Sequence, residues 1–134
     1  MSELDLRAVA IGVAVDILGS IVIGGALLIA AGAMLGASTT EALEELFDVS
    51  VELQVFSLLT GLLFVVIGAF VAARVAKRDE LQHAFAVGVI STAVSFSCVF
   101  MAPEALPFWY EAVALILTIP VAFVGGWVAL ALDR

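Results

Sequence analysis

Asp16 is the only charged side chain inside a long apolar run from Ala8 to Leu35. Counted from Ala8 it lies about eight residues, or about 12 Å at the helical rise, along that run. This is close to the midplane of a hydrocarbon core about 30 Å thick. A carboxylate at that depth costs about 2.5–3.5 kcal/mol on insertion scales, so an ionisable residue kept there marks a functional site by default. Three roles fit the chemistry: a hydrogen-bonded packing residue, a proton- or cation-handling carboxyl group, and an anchor for a polar ligand. Hydroxyl partners are at hand. Ser91, Ser95 and Cys98 recur at i, i+4 and i+7 in another apolar run, and Thr92 stands where that run aligns with Asp16. Such side chains either reach a neighbouring helix or bond back to their own helix carbonyls. No apolar run holds a second carboxylate or a base at this depth. A proton relay would rest on Asp16 alone or on its copies in an oligomer.

The elements that must position these groups follow from composition. The chain has 134 residues, 64% hydrophobic and 13% charged, with a mean hydropathy of +1.25. A soluble domain is about 45–50% apolar and about 25% charged, and a chain this short cannot bury so large an apolar excess within itself. Disorder is excluded by the same comparison. The expectation is an integral membrane protein, all-α, forming one membrane domain over residues 1–134. The net charge of −8 excludes nucleic acid as a partner. Cys98 is the only cysteine and His83 the only histidine, which leaves neither an internal disulfide nor a His/Cys zinc set. No nucleophile triad, metal-ligand set, phosphate loop or haem motif is present, so no enzyme activity, cofactor or metal is expected. The first apolar run is too long for the core of a cleaved signal peptide.

Spans of about 20 apolar residues are expected at about 8–35, 53–76, 83–101 and 107–132. The first exceeds what a bilayer requires and should tilt or project. The basic residues Arg7, Arg74, Lys77, Arg78 and Arg134 all fall before the first span, at the turn between the second and third, or at the end of the chain. The acidic residues Glu41, Glu44, Glu45, Asp48, Glu52, Glu104 and Glu111 fall on the opposite side. The positive-inside rule then places both termini in the cytoplasm and the protein in the cell membrane as a multi-pass bundle of four helices. Arg74, Lys77 and Arg78 form a cytoplasmic basic patch suited to anionic lipid headgroups, diluted by Asp79 and Glu80. His83 begins the third span as an interfacial residue. Ser38-Thr39-Thr40-Glu41 has the form of a capping box. It opens a short amphipathic helix, about 39–49, that would lie on the outer surface as a lid or a docking element. Pro107-Phe108-Trp109-Tyr110 reads as an interfacial belt, and Pro120 should bend the fourth span.

The chain also repeats itself. Arg7-Ala8-Val9-Ala10-Ile11-Gly12-Val13 matches His83-Ala84-Phe85-Ala86-Val87-Gly88-Val89. Ile67-Gly68-Ala69-Phe70-Val71-Ala72 matches Val124-Gly125-Gly126-Trp127-Val128-Ala129. Two duplicated hairpins in parallel orientation, related by an axis along the membrane normal, would give this pattern. In lipid, small residues let helix backbones approach. The candidates for that role are Gly12, Ser20 and Gly24, spaced by four with Asp16, then Gly32 and Gly36 as a GxxxG pair, and Gly68. These faces serve packing within the bundle, contacts in a homo-oligomer, or contacts in a larger membrane complex.

Gly68-Ala69-Phe70-Val71-Ala72-Ala73-Arg74-Val75-Ala76-Lys77-Arg78, followed by Leu81 and His83, resembles the junction of spans two and three in small four-span prokaryotic membrane proteins of uncharacterised function. That resemblance covers about a fifth of the chain and implies a four-helix fold and no activity. Val15-Asp16-Ile17-Leu18-Gly19-Ser20 is similar to the first-span carboxylate segment of small multidrug-resistance transporters. There a Glu, where this chain has Asp, binds protons and cationic drugs. The resemblance implies such a role for Asp16 only. The leading expectation is a non-enzymatic membrane protein of structural or interaction type, assembling through glycine-rich faces. The competing one is a small proton- or cation-coupled transporter with Asp16 as the coupling carboxylate.

Overall fold

The computed structural model describes residues 3–102 and 105–133, and every regular element among them is a helix. Glu104 and Arg134, used above to orient the chain, lie outside the described residues. Helix α1 runs Leu6–Met34. Its start is fixed by Asp5, whose carboxylate accepts from the backbone N–H groups of Arg7 at 3.0 Å and Ala8 at 3.3 Å, satisfying two of the four donors a helix start leaves open. One π-helical turn, Ser20–Gly24, interrupts it. Helix α2 is Thr40–Val49, α3 Val51–Ala76, α4 Glu80–Met101 and α5 Phe108–Leu132. Each of α1, α3, α4 and α5 is long and apolar enough to cross a membrane.

Two local expectations are corrected. The pair Gly32 and Gly36 is not a packing face. Gly36 lies past the end of α1 at φ +100°, with nothing within 4 Å of where its side chain would be. Its N–H donates to the Ala33 carbonyl at 3.1 Å, and that of Ala37 to the Gly32 carbonyl at 2.9 Å. These bonds make a Schellman stop, so the GxxxG spacing records a helix end. Gly32 itself packs against Leu43 of α2. The cap of α2 is also shifted by one residue. Thr39, not Ser38, accepts from the N–H of Ala42, at 3.2 Å, so Glu41 sits one position too early to complete a capping box. Along α2, Leu43, Leu46 and Phe47 are half-buried, and Glu41, Glu44, Glu45 and Asp48 are exposed.

The bundle is organised around α3 and α5. α1 packs on α3, α4 packs on α5, and α3 also touches α4. No contact joins α1 to α5 among the described residues. α1 crosses α3 backbone to backbone, as α5 does at Gly125, where a Cβ would stand 2.3 Å from the Val66 carbonyl oxygen. A Cβ on Gly12 would stand 2.6 Å from the Gly68 carbonyl oxygen, and one on Gly68 would stand 2.5 Å from the Gly12 carbonyl oxygen. Backbone lies against backbone in both directions, which only glycine on both sides permits. Gly88 and Gly126 do similar service between α4 and α5, where added Cβ atoms would meet Ala122 at 2.8 Å and Ala84 at 2.5 Å. Around these crossings Val9, Val65, Ala69, Ala72, Ala84, Val87 and Ala122 form the buried core. From the π turn onward α1 keeps only a smaller contact with α3. Ile21, Val22, Ile23, Leu27 and Ile29 are exposed, and Gly32 is the one buried residue of Gly25–Met34.

The charges segregate along the bundle. Arg74 pairs with Asp133, and His83 accepts the N–H of Asp5 at 2.9 Å. These contacts bring the start of α1, the α3–α4 turn and the end of α5 to one end. Arg7, Arg74, Lys77 and Arg78 are all exposed there. His83 is not merely interfacial: it is 1% exposed, and its other ring nitrogen meets the Asp79 carbonyl at 3.0 Å. It ties the N-terminal strap to α4. The turn it anchors is tight, with Lys77 and Asp79 both at positive φ (55° and 49°), and of the basic patch Arg74 is already engaged. The acidic residues of α2 and the first turns of α3 and α5 occupy the other end.

The glycine crossing sets a test. Gly68→Ala forces a methyl against backbone and should lower the unfolding free energy by about 1–3 kcal/mol, the usual cost of overpacking. Gly61→Ala lies in the same helix with nothing within 4 Å. It should be neutral or gain up to about 1 kcal/mol of helix propensity. Denaturant titration in mixed micelles compares the two.

Candidate functional site

The Gly12–Gly68 crossing is also what places Asp16. A side chain on Gly68 would fall 2.8 Å from Asp16 Cβ and 3.2 Å from its backbone nitrogen. With that space clear, α1 lays the Asp16 backbone on α3 and turns the carboxyl group toward α4. There the Ser91 hydroxyl donates to Asp16 Oδ2. The Ser20 hydroxyl, one turn further along α1, lines the same cavity as Asp16. Ser20 therefore belongs to the site and not to a packing face, and it opens the π turn, a distortion that recurs at functional sites. Asp16 is 4% exposed and Ser91 5%. Among the described residues the one ion pair is Arg74–Asp133, at the basic end, so the carboxyl group is met by the neutral Ser91 hydroxyl.

Thr92 is not the companion that the repeat alignment predicts. Its hydroxyl turns back to the Gly88 carbonyl at 2.8 Å, and its neighbour Ser91 makes the bond. Ser95 does not touch Asp16 but shares a cavity with it. That cavity, about 300 Å³, opens where α1 and α5 fail to meet, and is walled mainly by Ile17, Leu58, Leu62, Val65, Val94 and Ala114. Its polar groups are Asp16, Ser20, Ser91, Ser95, Tyr110 and Thr118. Thr118 is occupied by its own helix, donating to the Ala114 carbonyl at 2.6 Å. A second cavity of about 280 Å³ adjoins it and runs between α4 and α5 toward Ala105 and Glu111. Val94, Ser95, Cys98, Tyr110 and Ala114 line both.

Tyr110 was legible only as part of an aromatic belt, yet it stands where the two cavities join. Its hydroxyl pairs with that of Ser57 on α3 at 3.2 Å. Its partner lies 53 positions away on another helix, so no signal in the sequence marks it. Gly24 carries no tight contact, since a Cβ there would meet only Thr60 Cγ2 at 3.5 Å. A larger groove, about 630 Å³, lies elsewhere, lined by Leu4, Leu81, Phe85, Val89, Ile90 and Phe123 among others. It offers a ligand almost no polar handle.

The arrangement can hold one small polar or cationic species beside a carboxyl group in an otherwise apolar chamber. Replacing Ser91 with Ala should cost about 1–3 kcal/mol, because a buried acceptor loses its donor. It should also move the carboxyl stretching band of Asp16 in the infrared. Thr92→Ala should leave that band in place. Comparison of the chain with known protein families, characterised proteins and solved structures finds no match.

Proposed function

We propose that the chain is a small multi-pass protein of the cell membrane that takes up a proton or small cation at Asp16, as the coupling carboxyl group of a transporter. The observation that carries this reading is a nearly buried carboxyl group, partnered by the Ser91 hydroxyl, in the wall of a cavity. A carboxyl group needed only for packing gains nothing from an open chamber beside it. A site that must exchange its partner needs one. Both termini and the Arg74–Glu80 turn face the cytoplasm in this reading. The gathering of Arg7, Arg74, Lys77 and Arg78 at one end supports that orientation. The single membrane domain is built from two duplicated hairpins. The pairing of α1 with α3 and of α4 with α5 supports the duplication, and the absent α1–α5 contact marks where the halves have diverged.

The similarity of the Asp16 segment to small multidrug-resistance transporters agrees with this role. A second reading, a structural or interaction protein that assembles with itself or in a larger complex, is favoured by one observation. The second half of α1 is apolar and uncovered, and neither Gly24 nor Gly25 has a close neighbour on it. In neither reading is the chain an enzyme or the carrier of a cofactor.

Asp16→Asn separates the two. It keeps the size and most hydrogen bonds of the side chain and removes its charge. A coupling carboxyl group should lose cation-dependent transport in proteoliposomes entirely, while thermal stability changes little. In the infrared, a carboxyl band absent from Asp16→Asn should titrate and shift when cations are added. A band that stays silent at every pH, with an amide variant that behaves as the parent does, leaves the assembly reading.

A further inference from the structure

Asp16 is enclosed unequally along the bundle. Toward the basic end, Ala8, Val9, Ala69, Ala72, Ala84, Val87 and Ala122 are all buried, and Gly12, Gly68, Gly88 and Gly126 bring the backbones together. Nothing passes there without separating helices. Toward the acidic end the two adjoining cavities lead from Asp16 past Ser95 and Cys98 to Glu111. Tyr110 lines both, and of the residues they share it has the largest side chain. Its hydroxyl is held by Ser57 at 3.2 Å, and its ring sits edge-on to Phe47 of α2, with centroids 6.4 Å apart. Phe47 is itself fixed to α3. The buried Gln54 amide donates to the Phe47 carbonyl at 2.8 Å and to that of Asp48 at 3.4 Å, closing the end of α2. The position of α2 is thus transmitted through one aromatic contact to a residue that lines both cavities. The exposed faces of α2 and the first turn of α3 carry Glu41, Glu44, Glu45, Asp48 and Glu52, a field that raises the local concentration of cations.

We propose that Asp16 is reached from the acidic end alone, by small hydrophilic cations such as hydronium or ammonium-sized ions, and that Tyr110 is the gate on this route, with α2 as the element that sets it. The proposal rests on Asp16 being a cation site. Release of the Ser57 hydroxyl or movement of Phe47 lets the Tyr110 ring swing and joins the two chambers. Tyr110 acts by position, since it does not touch Asp16.

The test uses single thiols. In a Cys98→Ser background, Ser95→Cys and Ser91→Cys are reconstituted in sealed vesicles of known orientation. They are then exposed on one side at a time to a membrane-impermeant trimethylammonium methanethiosulfonate. Both thiols should react from the face bearing α2 and neither from the opposite face. Adding Tyr110→Phe, which loses the Ser57 bond, should speed labelling of Ser91→Cys several-fold and change Ser95→Cys less. Labelling of Ser91→Cys from the basic face, or equally from both, overturns the route. An unchanged ratio of rates in Tyr110→Phe overturns the gate. Should Ser91→Cys fail to fold, a pH jump applied to each face of the unmodified protein gives the same answer through the Asp16 infrared band. An Asp16 that titrates without access from the acidic face sinks the route and spares the functional reading. Thiols that label as expected beside a silent Asp16 do the reverse.

Discussion

The mutual contact of Gly12 and Gly68 is the constraint on which the rest of the bundle depends. Lipid tails are as apolar as the helix surfaces, so burial of Leu and Val does little to hold two spans together, and close packing must do it instead. Two carbonyl oxygens, lying 2.6 and 2.5 Å from where the other glycine's Cβ would be, bring the backbones of α1 and α3 into contact. That approach fixes the rotation of α1, and the rotation decides that Asp16 meets Ser91 and not the lipid. A larger residue at position 68 would push away the backbone of Asp16 itself, so packing and site are one feature. The short Arg74–Asp133 pair at the surface has no comparable weight, since both side chains are 44% exposed and such pairs contribute about 0–1 kcal/mol.

Much of the architecture was legible because membrane helices advertise themselves by length and hydropathy. All four spans are visible in the apolar runs, and the amphipathic pattern of residues 40–49 is visible in the alternation of Leu and Glu. What was not legible depends on rotation and on distance in space. Ser91 and Thr92 are one position apart, yet about 100° apart around the helix axis. Aligning repeats by count put Thr92 opposite Asp16, whereas the α4–α5 crossing at Gly88 turns Ser91 there. The GxxxG spacing at Gly32 and Gly36 misled for a different reason. Glycine serves both close approach and the left-handed stop of a helix, and a residue at φ +100° is used for the second. Tyr110 and Ser57 are 53 positions apart, and no local pattern joins them.

The two ends of the bundle solve opposite problems with opposite residues. At the basic end, Ala and Gly dominate the contacts, and small side chains on every helix let the backbones close together. Toward the acidic end the facing residues are Leu, Ile, Val and Ser at the walls of an open chamber. The change falls just past Asp16, at the π turn, where the contact of α1 with α3 thins. A π turn takes up one extra residue and so rotates everything after it relative to what came before. Placed at Ser20–Gly24, it turns the remainder of α1 out of register with α3. The helix diverges, no contact with α5 forms, and the cavity opens in the gap. The distortion and the carboxyl group are separated by a single turn of one helix, so the same short segment both closes the basic half and opens the acidic half.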